Sequence, residues 1–182
     1  MSSKGKNRIF KYAAGLVVDQ FLALFATIII TNIFGFLFPH SSALIKLLSG
    51  VFAFGVICHV DSWGNGSSDR AKVKNGYISG NTAYGFLCGI VAIVPSLVLA
   101  FFAFLAEAHS VRFYSIFEKD IFTFINRIWQ LPFSPLFVYV NKFPCLNFVL
   151  PMFVPIVSGA AYFLGFNGVT LKQLLLYKKD AE

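Results

Sequence analysis

Charged side chains are scarce in this chain, because only 13% of its 182 residues are Asp, Glu, Lys or Arg, whereas 57% are hydrophobic. A soluble domain of this length still exposes roughly 30% of the surface of its unfolded chain, and about a quarter of its residues are normally charged. The low charge therefore excludes a typical soluble enzyme. The 23 phenylalanines exclude a disordered chain. What remains is a membrane protein.

Reactive groups are few as well. The chain has three cysteines, Cys58, Cys88 and Cys145, without any CxxC spacing, so neither a disulfide framework nor a zinc site is indicated. Paired carboxylates at helical spacing and a Ser, His and Asp set are both missing from the apolar segments. We therefore predict that the protein is not an enzyme and uses no metal or cofactor. The lack of an internal repeat argues against a transporter built from two similar halves.

Long apolar runs dominate the sequence and predict its fold. They occupy residues 13–38, 43–60, 83–106 and 146–168. The first would be ~39 Å long as a helix, against a hydrocarbon core of ~30 Å. Pro95 predicts a kink in the third run, and Pro151 and Pro155 predict an irregular first half of the fourth. We predict an all-α, polytopic helical membrane protein, with residues 1–182 forming one integral membrane domain of about four transmembrane helices.

The basic residues predict the orientation. With four crossings, 10 of the 15 basic residues lie on the same side of the membrane as the two termini. They are Lys4, Lys6, Arg8, Lys11, Arg70, Lys72, Lys74, Lys172, Lys178 and Lys179. Positive charge marks the cytoplasmic side, so both termini are predicted to be cytoplasmic, with the protein integral to the plasma membrane. The net charge of +7 suits an anionic leaflet and requires no nucleic acid partner.

The outer segment, 107–145, contains an amphipathic pattern. Its apolar side holds Phe117, Ile121, Phe124, Ile125 and Ile128, and its polar side holds Glu118, Lys119, Thr123, Asn126, Arg127 and Gln130. This pattern predicts an interfacial helix along the outer membrane surface, with Trp129 at the interface and an end at Leu131 before Pro132. Whether residues 132–145 re-enter the membrane stays open.

Asp19 lies well inside the first apolar run, where a carboxylate is costly without a partner. With Thr27 and Thr31 it forms a candidate intramembrane polar site. One interpretation is an ion or proton site, and the other is a carboxylate satisfied by a neighbouring helix.

Small residues recur at helical spacing and predict helix packing. The positions are Gly15, Gly35, Gly85, Gly89 and Gly159. Such faces let helices approach closely, and the partner is either a helix of this chain or one of another protein.

The polar connection 61–82 is predicted to be a cytoplasmic loop. Its candidate residues Trp63, Arg70, Lys72 and Lys74 could hold an anionic lipid head group or dock a partner, although a solvated basic loop is the plainer interpretation. A short helix over 69–75 that stops at Gly76 is favoured there over a hairpin turn at the same glycine.

Two functions are compatible with these features. The first is a non-catalytic multi-pass membrane protein, a subunit or helper of a larger complex, with the bilayer and other membrane subunits as partners. The alternative is a small oligomeric transporter or channel with Asp19 as its ion-coupling group. A lipid-modifying enzyme that uses Glu107 and His109 at the outer face has the least support.

Overall fold

The chain is almost entirely helical in its computed structural model, which describes residues 3–37, 43–109, 115–116 and 119–169. The helices are α1 (Ser3–Leu37), α2 (Ala43–Lys74), α3 (Tyr84–Ala92), α4 (Val94–His109), α5 (Ile121–Trp129), α6 (Phe137–Lys142), α7 (Leu146–Val149) and α8 (Phe153–Asn167). Two 3₁₀ helices, Leu131–Leu136 and Leu150–Met152, precede α6 and α8. Two short antiparallel strands, β1 (Ser115–Ile116) and β2 (Lys119–Asp120), precede α5 and pair Ser115 with Asp120. The all-α prediction is confirmed.

Two helical stretches, Asn7–Phe34 and Leu146–Asn167, are long and apolar enough to cross a membrane. The pair α3 and α4, bent by 42°, provides a third if it forms one span. The bend lies at Ile93, just before Pro95, which has no N–H to continue the helical hydrogen bonds. These apolar helices are compatible with an integral membrane location.

Helix α2 is longer than the sequence suggested. Residues 61–74 were predicted as a cytoplasmic loop, but they continue α2 without interruption to Lys74. The helix stops at Gly76, whose φ of +74° favours glycine, while Tyr77 N donates to Lys72 O over 2.9 Å. Gly76 is thus the predicted stop, but it ends a long helix, and neither a separate short helix nor a hairpin forms.

Close packing of α2 on α8 explains this extension. A Cβ at Gly66 would lie 2.3 Å from Tyr162 O, and one at Gly165 would lie 2.2 Å from Trp63 O. Two glycines on facing helices therefore allow their backbones to touch. Trp63 Nε1 also donates to Val169 O over 2.9 Å. The polar end of α2 is held as a helix by α8.

Residues 121–142 form an inserted hairpin between the long helices. Asp120 caps α5 by accepting from Phe122 N over 2.9 Å. At the tip, a Cβ on Gly50 of α2 would lie 2.7 Å from Pro132 O, and the Phe133 ring lies 5.9 Å from Phe54. Gly50 is roughly 10 Å along α2 from its first residue. The segment after Pro132 therefore enters the bundle.

The polar side of α5 faces inward, which differs from the predicted surface helix. Thr123 and Asn126 are buried, whereas Phe124, Ile125 and Ile128 are exposed. The amphipathic helix exists, but its polar side packs on the protein and its apolar side points outward. A polar interior with an apolar exterior is the arrangement that a lipid environment favours.

Both ends of the described chain lie at the same end of the bundle, here called the terminal end. Arg8 near the start of α1 and Asp69 near the end of α2 form an ion pair of 3.4 Å. Tyr162 near the end of α8 reaches the same carboxylate. The start of α1 and the end of α8 are therefore on one side of the fold.

Candidate functional site

A group of polar side chains meets at the centre of the bundle. Gln20 is the middle of the apolar stretch Asn7–Phe34, and Ser96 is the middle of the bent pair α3 and α4. Trp129 Nε1 donates to Ser96 Oγ over 2.8 Å and lies 3.3 Å from Gln20 Oε1. Gln20 and Ser96 are 5% and 1% exposed. Trp129, which was predicted at the interface, therefore lies beside the middle of two long helical segments.

Two helices are interrupted close to this group. Gln20 Nε2 lies 3.4 Å from Ala92 O, at the last residue of α3, where the helix bends. Pro151, in the break between α7 and α8, has no N–H for Asn147 O, and Gln130 Nε2 donates to that oxygen over 3.0 Å instead. The tip of the inserted hairpin lies beside both breaks. Two interrupted helices thus meet the tip of the hairpin, and at each interruption a side-chain amide donates to a backbone oxygen.

A cavity of about 10 Å³ lies within this group, which we call the central cavity. It is lined by Gln20, Phe54, Ser96, Trp129, Gln130, Phe133, Leu150, Pro151 and Val154. Its volume is about that of a single water-sized probe. Gln130 is only 3% exposed, and its Oε1 has no hydrogen-bond partner within the described part of the chain. The cavity is therefore small and polar on one side, and one of the oxygens of its lining residues has no hydrogen-bond donor within the described part of the chain.

A chain of amides leads from the cavity towards the end of α4. Gln130 Nε2 donates to Asn126 Oδ1 over 3.2 Å, and Asn126 Nδ2 donates to Asn147 Oδ1 over 2.9 Å. Asn147 Nδ2 then donates to Glu107 Oε2 over 3.0 Å. The carboxylate at the end of the chain is paired with Arg127 over 2.8 Å. We call these hydrogen bonds the amide chain.

Arg127 holds the inserted hairpin to α4. Its guanidinium donates to Glu107 and also to Asn141 in α6, so that both arms of the hairpin meet the end of one helix. The Phe122 ring stacks on Phe102 of α4 at 4.7 Å between centroids. One ion pair and one aromatic stack thus add to the hydrogen bonds by which Trp129 and Gln130 hold the hairpin.

Asp19 lies near the central cavity but does not line it. Gly15, one turn earlier in α1, faces Asp61 of α2, where an added Cβ would be 3.6 Å from Asp61 Oδ2. Asp61 is close enough to interact electrostatically with Asp19, and one buried oxygen of Asp19 has no hydrogen-bond partner among the described residues. Asp19 therefore faces a helix of its own chain and a second carboxylate.

The two threonines of the predicted polar site do not join Asp19. Thr27 is 2% exposed, and its hydroxyl donates to Ala23 O of the same helix over 2.8 Å. Thr31 lies one turn further along α1 and is partly exposed. The polar centre of the fold is displaced from the predicted set to Gln20, the next residue after Asp19.

A second polar group, missed in the sequence, ties four helices together at the terminal end. Asp69 is 0% exposed and accepts from Tyr12 Oη over 3.0 Å and from Tyr162 Oη over 2.8 Å. Arg8 pairs with the carboxylate and lies over the Tyr84 ring at 4.4 Å from its centroid. Lys72 adds a contact of 3.4 Å. This Asp69 cluster neutralises a fully buried charge, as burial requires.

The four candidate residues of the predicted loop have separate surroundings. Trp63 bonds to the chain after α8, and Lys72 belongs to the Asp69 cluster. Arg70 and Lys74 are exposed in the last turns of α2, and the Arg70 guanidinium lies against Gly168. Arg70 and Lys74 therefore present cationic surface at this end of the bundle, as the exposed Lys11 of α1 does.

The small residues serve packing within the chain. A Cβ at Gly85 would meet Tyr162 at 2.2 Å, one at Gly89 would meet Ser158 Oγ at 2.4 Å, and one at Gly159 would meet Phe86 at 3.1 Å. Helices α3 and α8 therefore pack against each other through these glycines. Gly35 lies outside the residues whose surroundings are described.

Within the described residues, no three His, Cys, Asp or Glu side chains come together as a metal site. Comparison of the chain with family models, with curated proteins and with solved structures finds no match. The function is therefore inferred from the geometry of the central cavity itself.

Proposed function

We propose that this chain is a non-catalytic, multi-pass membrane protein that moves a small polar solute or ion across the bilayer. The observation that carries the proposal is the convergence of two interrupted helices and the tip of the inserted hairpin on one buried polar cavity at the centre of the bundle. Broken helices whose freed backbone groups surround a midplane site are typical of transporters. Irregular backbone at membrane depth is otherwise costly.

The membrane arrangement is part of this proposal. Four crossings are proposed, with residues 43–60 of α2 as the one added to the three apolar stretches. Helix α2 packs along α1 and α8, which supports a common orientation for all of them. The excess of cations at the terminal end supports a cytoplasmic location for both termini, in the plasma membrane.

Asp19 keeps a secondary role in the proposal. It stands next to Gln20 in α1 and faces Asp61, so a proton or cation held between these carboxylates could couple to the occupancy of the cavity. The primary contact with the solute is assigned to Gln20, Ser96 and Gln130.

The test is the osmotic response of proteoliposomes that contain the purified protein. Vesicles are exposed to gradients of urea and of small cations paired with thiocyanate, a permeant anion that balances the charge of any cation that crosses, and their volume is followed by stopped-flow light scattering. Faster swelling than in protein-free vesicles is expected for at least one solute, and Gln20→Leu and Ser96→Ala should remove it. Asn32→Leu is the matched control, because Asn32 is an exposed amide of the same helix that donates to Ile28 O one turn earlier. Swelling no faster than in protein-free vesicles for every solute would refute the proposal.

The second candidate is a subunit or helper of a larger membrane complex. It is favoured by the exposed cations Arg70 and Lys74, which are free to meet an acidic partner or anionic lipid at the terminal end. One observation argues against it. Gly85, Gly89 and Gly159 already pack α3 against α8 within this chain, so these glycines are not available to a partner helix. Crosslinking in native membranes from a photoreactive residue at position 74 would separate the two cases, because a helper should give one defined protein adduct that Arg70→Glu abolishes.

A further inference from the structure

The amide chain has a fixed direction. An ionised carboxylate accepts hydrogen bonds and cannot donate them, so Glu107 requires the NH₂ group of Asn147 to point towards it. Asn147 then offers its oxygen to Asn126, and Asn126 offers its oxygen to Gln130. The ion pair with Arg127 supports the ionised form of Glu107. One charge at the end of α4 therefore orients every amide back to the cavity.

The consequence at the cavity is an oxygen without a donor. Because the Gln130 nitrogen is turned to Asn126 and to Asn147 O, the polar atom left for the cavity is Oε1, which has no partner among the described residues. The other N–H groups nearby are engaged. Trp129 Nε1 donates to Ser96 Oγ, and Gln20 Nε2 donates to Ala92 O. Gln20 Oε1 accepts from Ser96 Oγ and Trp129 Nε1, each over 3.3 Å. The cavity therefore presents oxygens, of which Gln130 Oε1 has no donor among the described residues.

We infer that the central cavity binds a small monovalent cation, an alkali or ammonium ion, and this inference rests on the proposed function by naming the solute of the same site. Amide and hydroxyl oxygens are ligands for hard cations. The cavity has the size of one water. No carboxylate lines it, which disfavours a divalent ion, because divalent ions in proteins are held by carboxylates. The Glu107 charge polarises the amide chain and makes the Gln130 oxygen a stronger ligand.

Trp129 provides a direct reporter of binding. The chain has two tryptophans, so Trp63→Phe leaves Trp129, whose indole N–H lies in the site, as the single fluorophore. The Trp63→Phe protein in detergent micelles is titrated with NaCl, KCl or NH₄Cl, with choline chloride replacing the salt to keep ionic strength constant. A saturable change of Trp129 fluorescence is expected with at least one of the three small cations, whereas choline, which is too large for the cavity, should give none.

Variants of the amide chain test the assignment. Gln130→Glu places a charged oxygen at the same position and should lower the Kd for the cation more than about tenfold. Gln130→Met should abolish the response. If that variant fails to fold, Glu107→Gln tests the same point, because a neutral amide no longer fixes the direction of the chain and the response should weaken. Asn32→Leu is the control and should bind as the parent protein does.

The outcomes separate this inference from the proposed function. Absence of any response to the small cations, or an equal response to choline, would overturn the inference and leave a cavity that holds water alone. Cation binding without vesicle swelling would keep the inference and refute transport. Swelling driven by urea in a protein that binds no cation would keep transport and refute the inference.

Discussion

Tyr162→Phe tests whether the Asp69 carboxylate stabilises the terminal end of the bundle. The substitution removes one oxygen, which donates to Asp69 Oδ2 over 2.8 Å. Hydrogen bonds between transmembrane helices average about 0.6 kcal/mol, but a hydrogen bond to a charged group contributes about 1.5–3 kcal/mol. We expect the free energy of unfolding to fall by about 1.5 kcal/mol, the lower end, because Tyr12, Arg8 and Lys72 still contact the carboxylate. That is a shift of roughly tenfold in the unfolding equilibrium.

The assay is equilibrium unfolding in mixed micelles with increasing sodium dodecyl sulfate, followed by tryptophan fluorescence. Tyr77→Phe is the control, because Tyr77 is 78% exposed, and its change should stay within about 0.5 kcal/mol. In an Asp69→Asn background, where the acceptor is no longer charged, Tyr162→Phe should cost less. Equal effects of the two tyrosine substitutions, or the same cost of Tyr162→Phe in both backgrounds, would contradict the role of the carboxylate.

Two further predictions concern packing and topology. Gly89→Ala should destabilise the protein by about 1–3 kcal/mol, because its Cβ would lie 2.4 Å from Ser158 Oγ. Gly64→Ala is the control, because no atom lies within 4 Å of the new Cβ, and it should stabilise the protein by about 0.5–1 kcal/mol. If Gly89→Ala also stabilises the protein in the same unfolding assay, α3 and α8 are not in backbone contact at this glycine. For topology, the exposed Cys145 should react with an impermeant maleimide in intact cells. In a Cys145→Ser background, Ser68→Cys should react only after the cells are opened, and earlier reaction would reverse the proposed orientation.

The sequence predicted the interruptions of the fold well, because proline acts through local chemistry. Pro95 lies at the bend between α3 and α4, and Pro151 lies in the 3₁₀ helix between α7 and α8, both as predicted. Each effect follows from a missing N–H and needs no knowledge of a distant partner. Gly76 was likewise predicted as a helix stop and has that role.

The extent of α2 and the orientation of α5 could not be predicted in the same way. Residues 61–74 are rich in glycine and polar groups, which is typical of a loop, yet Gly66 lies against the backbone of α8. The amphipathic pattern of α5 defines two sides but does not say which one faces the protein. That choice depends on Asn147 and Glu107, which are distant in sequence and accept or donate only once the bundle is assembled.

The central polar group was missed for a related reason. Gln20, Ser96 and Trp129 come from three segments, and none of them has a distinctive spacing with the others. Asp19 was predicted as a site because a charged residue within an apolar run is rare, whereas a neutral amide such as Gln20 gives no such signal. A useful signal was the number of Asn and Gln residues close to prolines, because such amides can satisfy backbone groups that proline leaves open.

The Asp69 cluster and the inserted hairpin hold the bundle together in different ways. At one end, four helices are cross-linked through a single buried anion, and separating them would expose that charge. At the other end, the hairpin is fastened by hydrogen bonds between neutral side chains and by one partly exposed ion pair, that of Arg127 with Glu107. In the proposed transport, the terminal end is therefore the end that resists opening, and release of the solute towards the termini is expected to be the slow step.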